Sequence, residues 1–196
     1  MQKYMVGFSK VFLVFIAFCA AGWIYETIND AIFLHTFVWR ADFIGPWCPI
    51  YGIGGLLIMF VFEPVRKLFV PKDGSKPSWT RRLIELLVLA IGIYALTTAV
   101  ELAGSYACEA ISGTVPWDYS ECWGNFEGRI APVFTIRFVI GGLLFLYFFI
   151  PWIKKFCNER PKAAFVLSCI LLVLFAADMI IENLNGWDWI DRTRPE

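Results

Sequence analysis

The sequence predicts an all-α membrane protein, a polytopic bundle of five transmembrane helices. Of its 196 residues, 59% are hydrophobic and only 17% are charged, whereas a soluble domain carries about 25% charged residues. The apolar segments are long enough to cross a bilayer, which takes about 20 residues. The length leaves room for a single transmembrane domain over 1–196 and for no sizeable soluble domain. The net charge of zero gives no indication of nucleic-acid binding.

The predicted spans are separated by loops of contrasting charge. The spans cover about 8–32, 46–62, 83–106, 130–153 and 163–184. The loops after spans two and four are basic, with six Lys or Arg residues from Arg66 to Arg82 and four from Lys154 to Lys162. Cytoplasmic loops are enriched in Lys and Arg. The amino terminus is therefore predicted inside and the carboxyl terminus outside, with a long outer loop between spans three and four.

Span one carries acidic residues near its predicted outer end. Its middle, 17–22, is rich in small residues, which let a neighbouring helix approach closely. Glu26 and Asp30 are four residues apart and so share a helix face. The chain remains apolar beyond Asp30, so Glu26 is expected to face the interior of the bundle rather than lipid.

The segment that leads into span two is rich in glycine and proline. Between Gly45 and Gly55 it contains two prolines and four glycines, with Tyr51 among them. One interpretation is a re-entrant or unwound segment, which is tolerated at membrane depth only when it is buried in protein or lines a cavity. The other is a helix that begins at a proline and uses small residues for packing. The sequence leaves both open.

The loop between spans three and four is about two dozen residues long and dense in polar and aromatic side chains. Long loops that carry such residues are often functional. We interpret this loop as a cap over acidic residues at the outer ends of the helices. Its candidate residues are Trp117, Asp118, Tyr119, Asn125 and Arg129.

Ionisable residues inside the predicted spans form the rest of the candidate site. Glu101 lies near the outer end of span three, and Asp178 and Glu182 lie four apart in span five. Arg137 lies two turns into span four, where it must snorkel or pair with a carboxylate, and we expect pairing. The acids outside the basic loops are all expected toward the outer side, matched there by Arg40, Arg129 and Arg137.

The cysteines and the histidine give no indication of a metal centre. The six cysteines are scattered through spans and loops, so a disulfide framework is not predicted. A disulfide between Cys108 and Cys122 would cross-link the central loop to the end of span three, and free thiols are an equal alternative. His35 is the single histidine and has no second histidine with which to complete a typical metal site. No cofactor is expected.

The motifs, taken in order, resemble a bacterial family. They are Gly22-Trp23-x-x-Glu26, Arg40-x₄-Gly45-Pro46-x-x-Pro49-Ile50-Tyr51-Gly52-x-Gly54, Glu101 and Trp117-Asp118-Tyr119-Ser120…Asn125-x-x-Gly128-Arg129-Ile130. Together they resemble the CmpB-like permeases, the putative ABC-transporter type IV family, over roughly 10–150. The resemblance implies transport across the bacterial cytoplasmic (inner) membrane. Arg137 and span five are features that this resemblance does not transfer to the chain.

Three functions remain open at this point. The preferred one is a small transport or solute-binding subunit with an outward-facing acidic and aromatic site for a polar small molecule or ion. Its ATPase or other energising subunit would be a separate chain, because no Gly-x₄-Gly-Lys-Ser/Thr phosphate loop occurs here. The alternatives are a membrane enzyme for a lipid or lipid-linked substrate at the outer leaflet and a scaffold held together by ion pairs. Membrane lipids and a second copy of the chain are further expected partners.

The predicted substrate-binding residues combine the charged and aromatic candidates of these segments. No catalytic residue and no metal ligand is assigned, and an enzyme is the less favoured expectation. The predicted set is Glu26, Arg40, Tyr51, Glu101, Trp117, Asp118, Tyr119, Asn125, Arg129 and Arg137.

Overall fold

The computed structural model describes residues 2–33, 35, 37, 43–72, 75–115 and 117–184. Over these ranges, apart from one isolated bridge between Phe126 and Ile130, the regular structure is helical. The helices are α1 Gln2–Phe33, α2 Pro49–Leu68, α3 Trp79–Ser112, α4 Pro132–Glu159 and α5 Pro161–Leu184. All five are long and apolar enough to cross a membrane. The predicted all-α class with five spans is confirmed, while the orientation of the chain stays a prediction.

The helices extend beyond the predicted spans because hydropathy locates the apolar part of a helix and not its ends. α3 is the clearest case, since it runs from Trp79 to Ser112 rather than over 83–106. The side chain of Ser78 caps its start by accepting a hydrogen bond from the Arg81 backbone N–H. Gly113, with φ of 73°, ends it in the left-handed conformation.

The chain forms two compact units. The first unit comprises Met1–Leu56 with Pro151–Glu196, and the second unit comprises Leu57–Ile150. α1 packs against α5 in the first unit, and α3 packs against α4 in the second. The prediction of a single transmembrane domain over 1–196 stays a prediction.

The helix faces of both units carry exposed apolar side chains, as expected of segments surrounded by lipid. Ile91 of α3 is 70% exposed and Val173 of α5 is 67% exposed. In a water-soluble domain, contiguous apolar surface of this kind would be an aggregation hazard or a binding site. On helices of spanning length, the simpler account is contact with lipid tails.

Three glycines allow α2 to lie directly against α1 in the first unit. A Cβ atom added to Gly22 would overlap the Tyr51 ring, one added to Gly52 would overlap Cys19 and Phe15, and one added to Gly55 would overlap Phe18. Small residues at a membrane helix interface permit this close backbone approach. The contact places the first turns of α2, including Tyr51, beside the middle and second half of α1.

Replacing Gly52 with alanine should lower the free energy of unfolding by about 1–3 kcal/mol, because the added methyl group must displace packed side chains. Gly54 is a matched control, since a Cβ atom there meets nothing within 4 Å. Gly54→Ala should be neutral or stabilising by up to about 1 kcal/mol, since alanine favours the helix. Thermal unfolding of the detergent-solubilised variants measures both. Equal destabilisation by both substitutions would contradict the packing of α2 on α1.

Candidate functional site

Residues 43–48 of the first unit form a non-helical segment that leads into α2 and is buried at both of its ends. Phe43, Trp47 and Cys48 are all buried. The backbone N–H of Cys48 donates to the carbonyl of Cys19 at 3.2 Å, and Cys19 lies near the middle of α1. Non-helical backbone therefore lies beside the centre of a membrane-spanning helix. Both interpretations of this region hold in part, because 43–48 is unwound and the helix then begins at Pro49.

The carboxylate of Asp178 on α5 anchors this segment. The backbone N–H groups of Ile44 and Gly45 donate to its two oxygens at 3.1 and 2.6 Å. Asp178 is only 8% exposed. A buried N–H group without an acceptor is costly at this depth, so the carboxylate replaces the hydrogen bonds that a helix would have supplied. The ring of Trp47 packs edge-on against Phe175, one turn before Asp178 on α5.

Glu26 and Tyr51, both predicted site residues, are brought together beside the unwound segment. The Tyr51 hydroxyl donates a short hydrogen bond to a carboxylate oxygen of Glu26. Both side chains are partly buried, and the Tyr25 ring lies 6.3 Å from the Tyr51 ring. The first unit thus contains a carboxylate, a phenol and aromatic walls next to unwound backbone. Arg40, predicted for the same site, lies outside the described residues.

The central loop of the second unit is organised by its own polar side chains. The Asn125 amide group donates to the carbonyls of Ser120 and Cys122 at 3.0 and 2.9 Å and accepts from Gly128 N–H at 3.0 Å. Asp118 accepts from Ser120 N–H at 2.8 Å. Hydrogen bonds from the Ser120 backbone and hydroxyl hold the pKa of Asp118 below its ordinary value. Asp118 and Asn125 therefore shape the loop, as Asp and Asn often do in turns.

The aromatic residues of the loop pack against the start of α4 and against the loop backbone. The Tyr119 ring stacks on Phe134 with centroids 4.2 Å apart. The Trp117 indole N–H donates to the Arg129 carbonyl at 2.7 Å. Trp117 thus helps to fix the position of Arg129, and Tyr119 holds the loop against the start of α4.

The Arg129 side chain ties the loop to α3. Its guanidinium donates to Glu109 at 2.5 Å and to Ser105 at 2.9 Å, and it lies 4.1 Å from the centre of the Tyr106 ring. Glu127 lies 3.7 Å from the guanidinium and accepts a hydrogen bond from the Tyr106 hydroxyl at 2.5 Å. The guanidinium thus binds two different side chains through two of its nitrogens and stacks on a third, which a lysine cannot reproduce.

Sequence reasoning did not identify Ser105 and Glu109 as the partners of Arg129, although their spacing along α3 was a signal. Glu101, Ser105 and Glu109 follow each other at four-residue intervals and so share one face of α3. Glu101, a predicted site residue, is buried on that face. The guanidinium of Arg137 lies 5.2 Å from the centre of the Phe134 ring, and its pairing with a carboxylate stays a prediction.

A second buried ionic cluster lies near the start of α3. Glu85 is 8% exposed, accepts a hydrogen bond from the Tyr147 hydroxyl at 2.8 Å and lies 3.8 Å from the Arg66 guanidinium. Arg66 also lies 4.7 Å from the centre of the Tyr147 ring. Glu85 is on the side of the basic loop 66–82. The expectation that all acids outside the basic loops lie toward the other side is therefore wrong for Glu85.

Arg66 also donates a hydrogen bond to a carbonyl of α4 that has no backbone donor. Residues Phe145–Phe149 form a π-helical turn, in which Ile150 N–H donates to Phe145 five residues earlier. In that register the Leu146 carbonyl would accept from residue 151, which is a proline and has no N–H group. The Arg66 guanidinium donates to the Leu146 carbonyl at 3.2 Å instead.

Replacing Arg66 with methionine should destabilise the protein by about 2–3 kcal/mol, because it leaves Glu85 without its cation and the Leu146 carbonyl without its donor. The expected loss lies below that of a fully buried pair because the Arg66 side chain is 30% exposed. Hydrogen exchange of α4 amides near the π-helical turn should also become faster. The neighbouring and exposed Lys67 provides the control, and equal exchange in Arg66→Met and Lys67→Met would contradict this role.

The described cysteines form no disulfide, and the described acids and thiols form no metal-binding cluster. Cys108 and Cys122 are free thiols in the structure, so the central loop is held by hydrogen bonds and the Arg129 cluster. Within the described ranges, no group of three His, Cys, Asp or Glu side chains is arranged to hold a metal ion.

Comparison with known proteins places the chain in a family. The model of the family described as Putative ABC-transporter type IV matches residues 13–182. The chain belongs to this family. The match extends beyond the motifs quoted above and takes in Arg137 and most of α5. Searches of curated proteins and of solved structures found no match. The chain is thus a multi-pass membrane protein of a transport-related family.

Proposed function

We propose that this protein is a transport or solute-binding subunit whose site for a polar small molecule or ion lies in the first unit and opens outward. The observation that carries the proposal is the unwound segment Phe43–Cys48 beside the middle of α1. Transporters build their solute sites from such discontinuous backbone, because it presents polar groups where a regular helix has none to offer.

The side chains around the segment suit a polar ligand. Asp178 already binds two backbone N–H groups, and Glu26 already binds the Tyr51 hydroxyl. A solute with hydrogen-bond donors or positive charge would replace Tyr51 as a partner of Glu26. Tyr51, Tyr25 and Trp47 supply aromatic surface for the apolar part of the solute or for a cation.

The partners follow from the family and from the sequence. An ABC-type transporter needs an ATPase, and the phosphate-binding loop of an ATPase is missing from this sequence. We therefore propose a separate ATPase or energising subunit and membrane lipids as partners, with a homo-oligomer as a further assembly. The proposed location is the bacterial cytoplasmic membrane.

The contacts of Arg129 in the second unit favour a structural role for the central loop. The lipid-linked enzyme hypothesis needs Arg129 or Arg137 to hold a phosphate, but the Arg129 guanidinium is occupied by Glu109, Ser105 and Tyr106. The same contacts support the scaffold hypothesis for this loop. Trp117, Asp118, Tyr119, Asn125 and Arg129 then shape the loop rather than contact a solute.

Cysteine accessibility tests whether the proposed site is aqueous and outward-facing. In a cysteine-free background that retains its helical circular dichroism, Glu26→Cys should react with a membrane-impermeant charged maleimide from the outer side of sealed vesicles. Ile28→Cys is the matched control, because Ile28 is an exposed apolar residue on the same helix and should face lipid and stay unlabelled. Lys76→Cys, in the basic loop, reports labelling from the inner side. Labelling of Glu26→Cys from the inner side only, or from neither side, would contradict the proposal.

A further inference from the structure

The ends of α2 and α3 in the second unit present a surface that is both basic and apolar. We define this basic–apolar surface by Lys67, Leu68, Val70, Lys72, Trp79 and Arg82. All six side chains are exposed, and Trp79 and Leu68 are 79% and 74% exposed. Large exposed apolar side chains among cations require surroundings that cover the apolar groups and also provide negative charge or water for the cations.

A hydrogen bond joins the ends of α2 and α3 and so brings the residues of this surface together. The Arg81 guanidinium donates to the Leu68 carbonyl at the end of α2, at 3.1 Å. Ser78 caps the first turn of α3 through the Arg81 backbone N–H at 3.3 Å. A basic side chain at a helix carboxyl terminus also interacts favourably with the helix dipole.

The cations of this surface, Lys67, Lys72 and Arg82, have no acidic partner within ion-pair distance among the residues that the structure describes. By contrast, Arg66 pairs with Glu85, and Lys155 on the other basic segment lies 3.8 Å from Glu159. The positive charge of the surface therefore remains available to an external anion.

The surface adjoins the apolar part of α3, a helix long and apolar enough to cross a membrane. Immediately after Arg82, the first turns of α3 expose Leu83, Ile84, Leu86 and Leu87 around the helix, as expected only where lipid tails surround it. Trp79 comes four residues before this apolar stretch. Tryptophan concentrates at the level of the lipid headgroups, where its ring contacts both tails and water.

We propose that the basic–apolar surface binds the headgroups of anionic phospholipids. Phosphate oxygens accept charge-assisted hydrogen bonds from Lys and Arg, and basic residues beside a membrane are attracted to anionic lipid. The exposed Trp79, Leu68 and Val70 lie against the glycerol and upper acyl region of the same lipids. A water-soluble acidic protein would match the charges but would leave these apolar side chains uncovered. The inference concerns the second unit and does not depend on the solute site.

Native mass spectrometry of the full chain tests this proposal. The protein is purified in neutral detergent and titrated with equal amounts of phosphatidylglycerol and phosphatidylcholine, and the bound lipids are counted. The wild type should retain phosphatidylglycerol preferentially. In the triple variant Lys67→Gln, Lys72→Gln and Arg82→Gln, that preference should fall about tenfold or more, since each basic residue near the surface contributes. All three side chains are exposed, so the variant should keep its fold, which circular dichroism checks.

Lys155→Gln is the matched control, because Lys155 is exposed and basic but already close to Glu159. This variant should retain the preference of the wild type. The proposal is overturned if the wild type binds both lipids equally or if the triple variant keeps its preference. It is also overturned if Lys155→Gln alone loses as much as the triple variant, since net charge and not this surface would then decide binding.

Discussion

Replacing Asp178 with leucine should lower the free energy of unfolding by about 4 kcal/mol, the largest effect expected of any single substitution in the first unit. The carboxylate accepts the backbone N–H groups of Ile44 and Gly45. Both N–H groups lie in part-buried surroundings, and each would lose its acceptor at a cost of about 1–3 kcal/mol. The melting temperature should fall by roughly 10 °C for a chain of this size, measured by thermal unfolding in detergent.

Two companion variants separate this hydrogen bonding from general damage to α5. Asp178→Asn keeps one acceptor oxygen, so its loss of stability should be about half that of Asp178→Leu. Met179→Leu changes the next residue, which is partly exposed, and should be close to neutral. If Asp178→Leu melted with the wild type, Asp178 would not anchor the unwound segment.

Replacing Arg129 with methionine should have the second large effect, a loss of about 3 kcal/mol. It removes the guanidinium contacts to Glu109, Ser105 and Tyr106 together, and hydrogen bonds to charged groups contribute about 1.5–3 kcal/mol each. The loop 113–131 should also become sensitive to proteases, because it loses its tie to α3. Limited proteolysis and thermal unfolding measure the two effects.

Arg129→Lys tests whether geometry matters in addition to charge. Lysine keeps the cation but cannot bind Glu109 and Ser105 with one planar group while stacking on Tyr106, so most of the loss should remain. Glu127→Gln should cost much less, because Glu127 is exposed and 3.7 Å from the guanidinium. A wild-type response of Arg129→Lys would contradict the requirement for a planar group that binds Glu109 and Ser105 and stacks on Tyr106.

The fold was predictable because the bilayer imposes a simple rule on the sequence. About 20 apolar residues are needed to cross it, and that length identified all five helices. The ends of the helices were not predictable in the same way. The first turn of α3 depends on the Ser78 cap, and its last turn depends on Gly113, both of which lie outside the apolar run.

The candidate site was predictable in part, because an acidic residue inside a predicted span is itself a signal of a functional site. Glu26 and Tyr51 were both predicted, and the structure joins them directly. The anchoring role of Asp178 could not be predicted, because its partners lie more than 130 residues earlier in the chain. Hydropathy and spacing carry no information on such a distant contact. Ligand binding by Asp118 and Asn125 stays a prediction, and the structure adds that their hydrogen bonds shape the loop.

The cluster at the other end of the second unit was missed for a different reason. Glu85 follows the basic loop 66–82 and was obscured by the charge pattern used to orient the chain. Its partner Arg66 also binds the π-helical turn before Pro151. The hydrogen-bond register of that turn cannot be read from the sequence. A buried glutamate next to a basic loop was nevertheless a sequence signal, since such a residue requires a partner.

The central claim is that the unwound segment and its acids in the first unit bind a polar solute. The most direct test is native mass spectrometry of the wild-type protein after mild purification, with extraction and identification of any molecule that co-purifies. The account predicts a bound polar small molecule or ion that is lost in Glu26→Gln and retained in Glu159→Gln, an exposed control. A wild type that carries no such molecule, or one retained equally in Glu26→Gln, would contradict the claim.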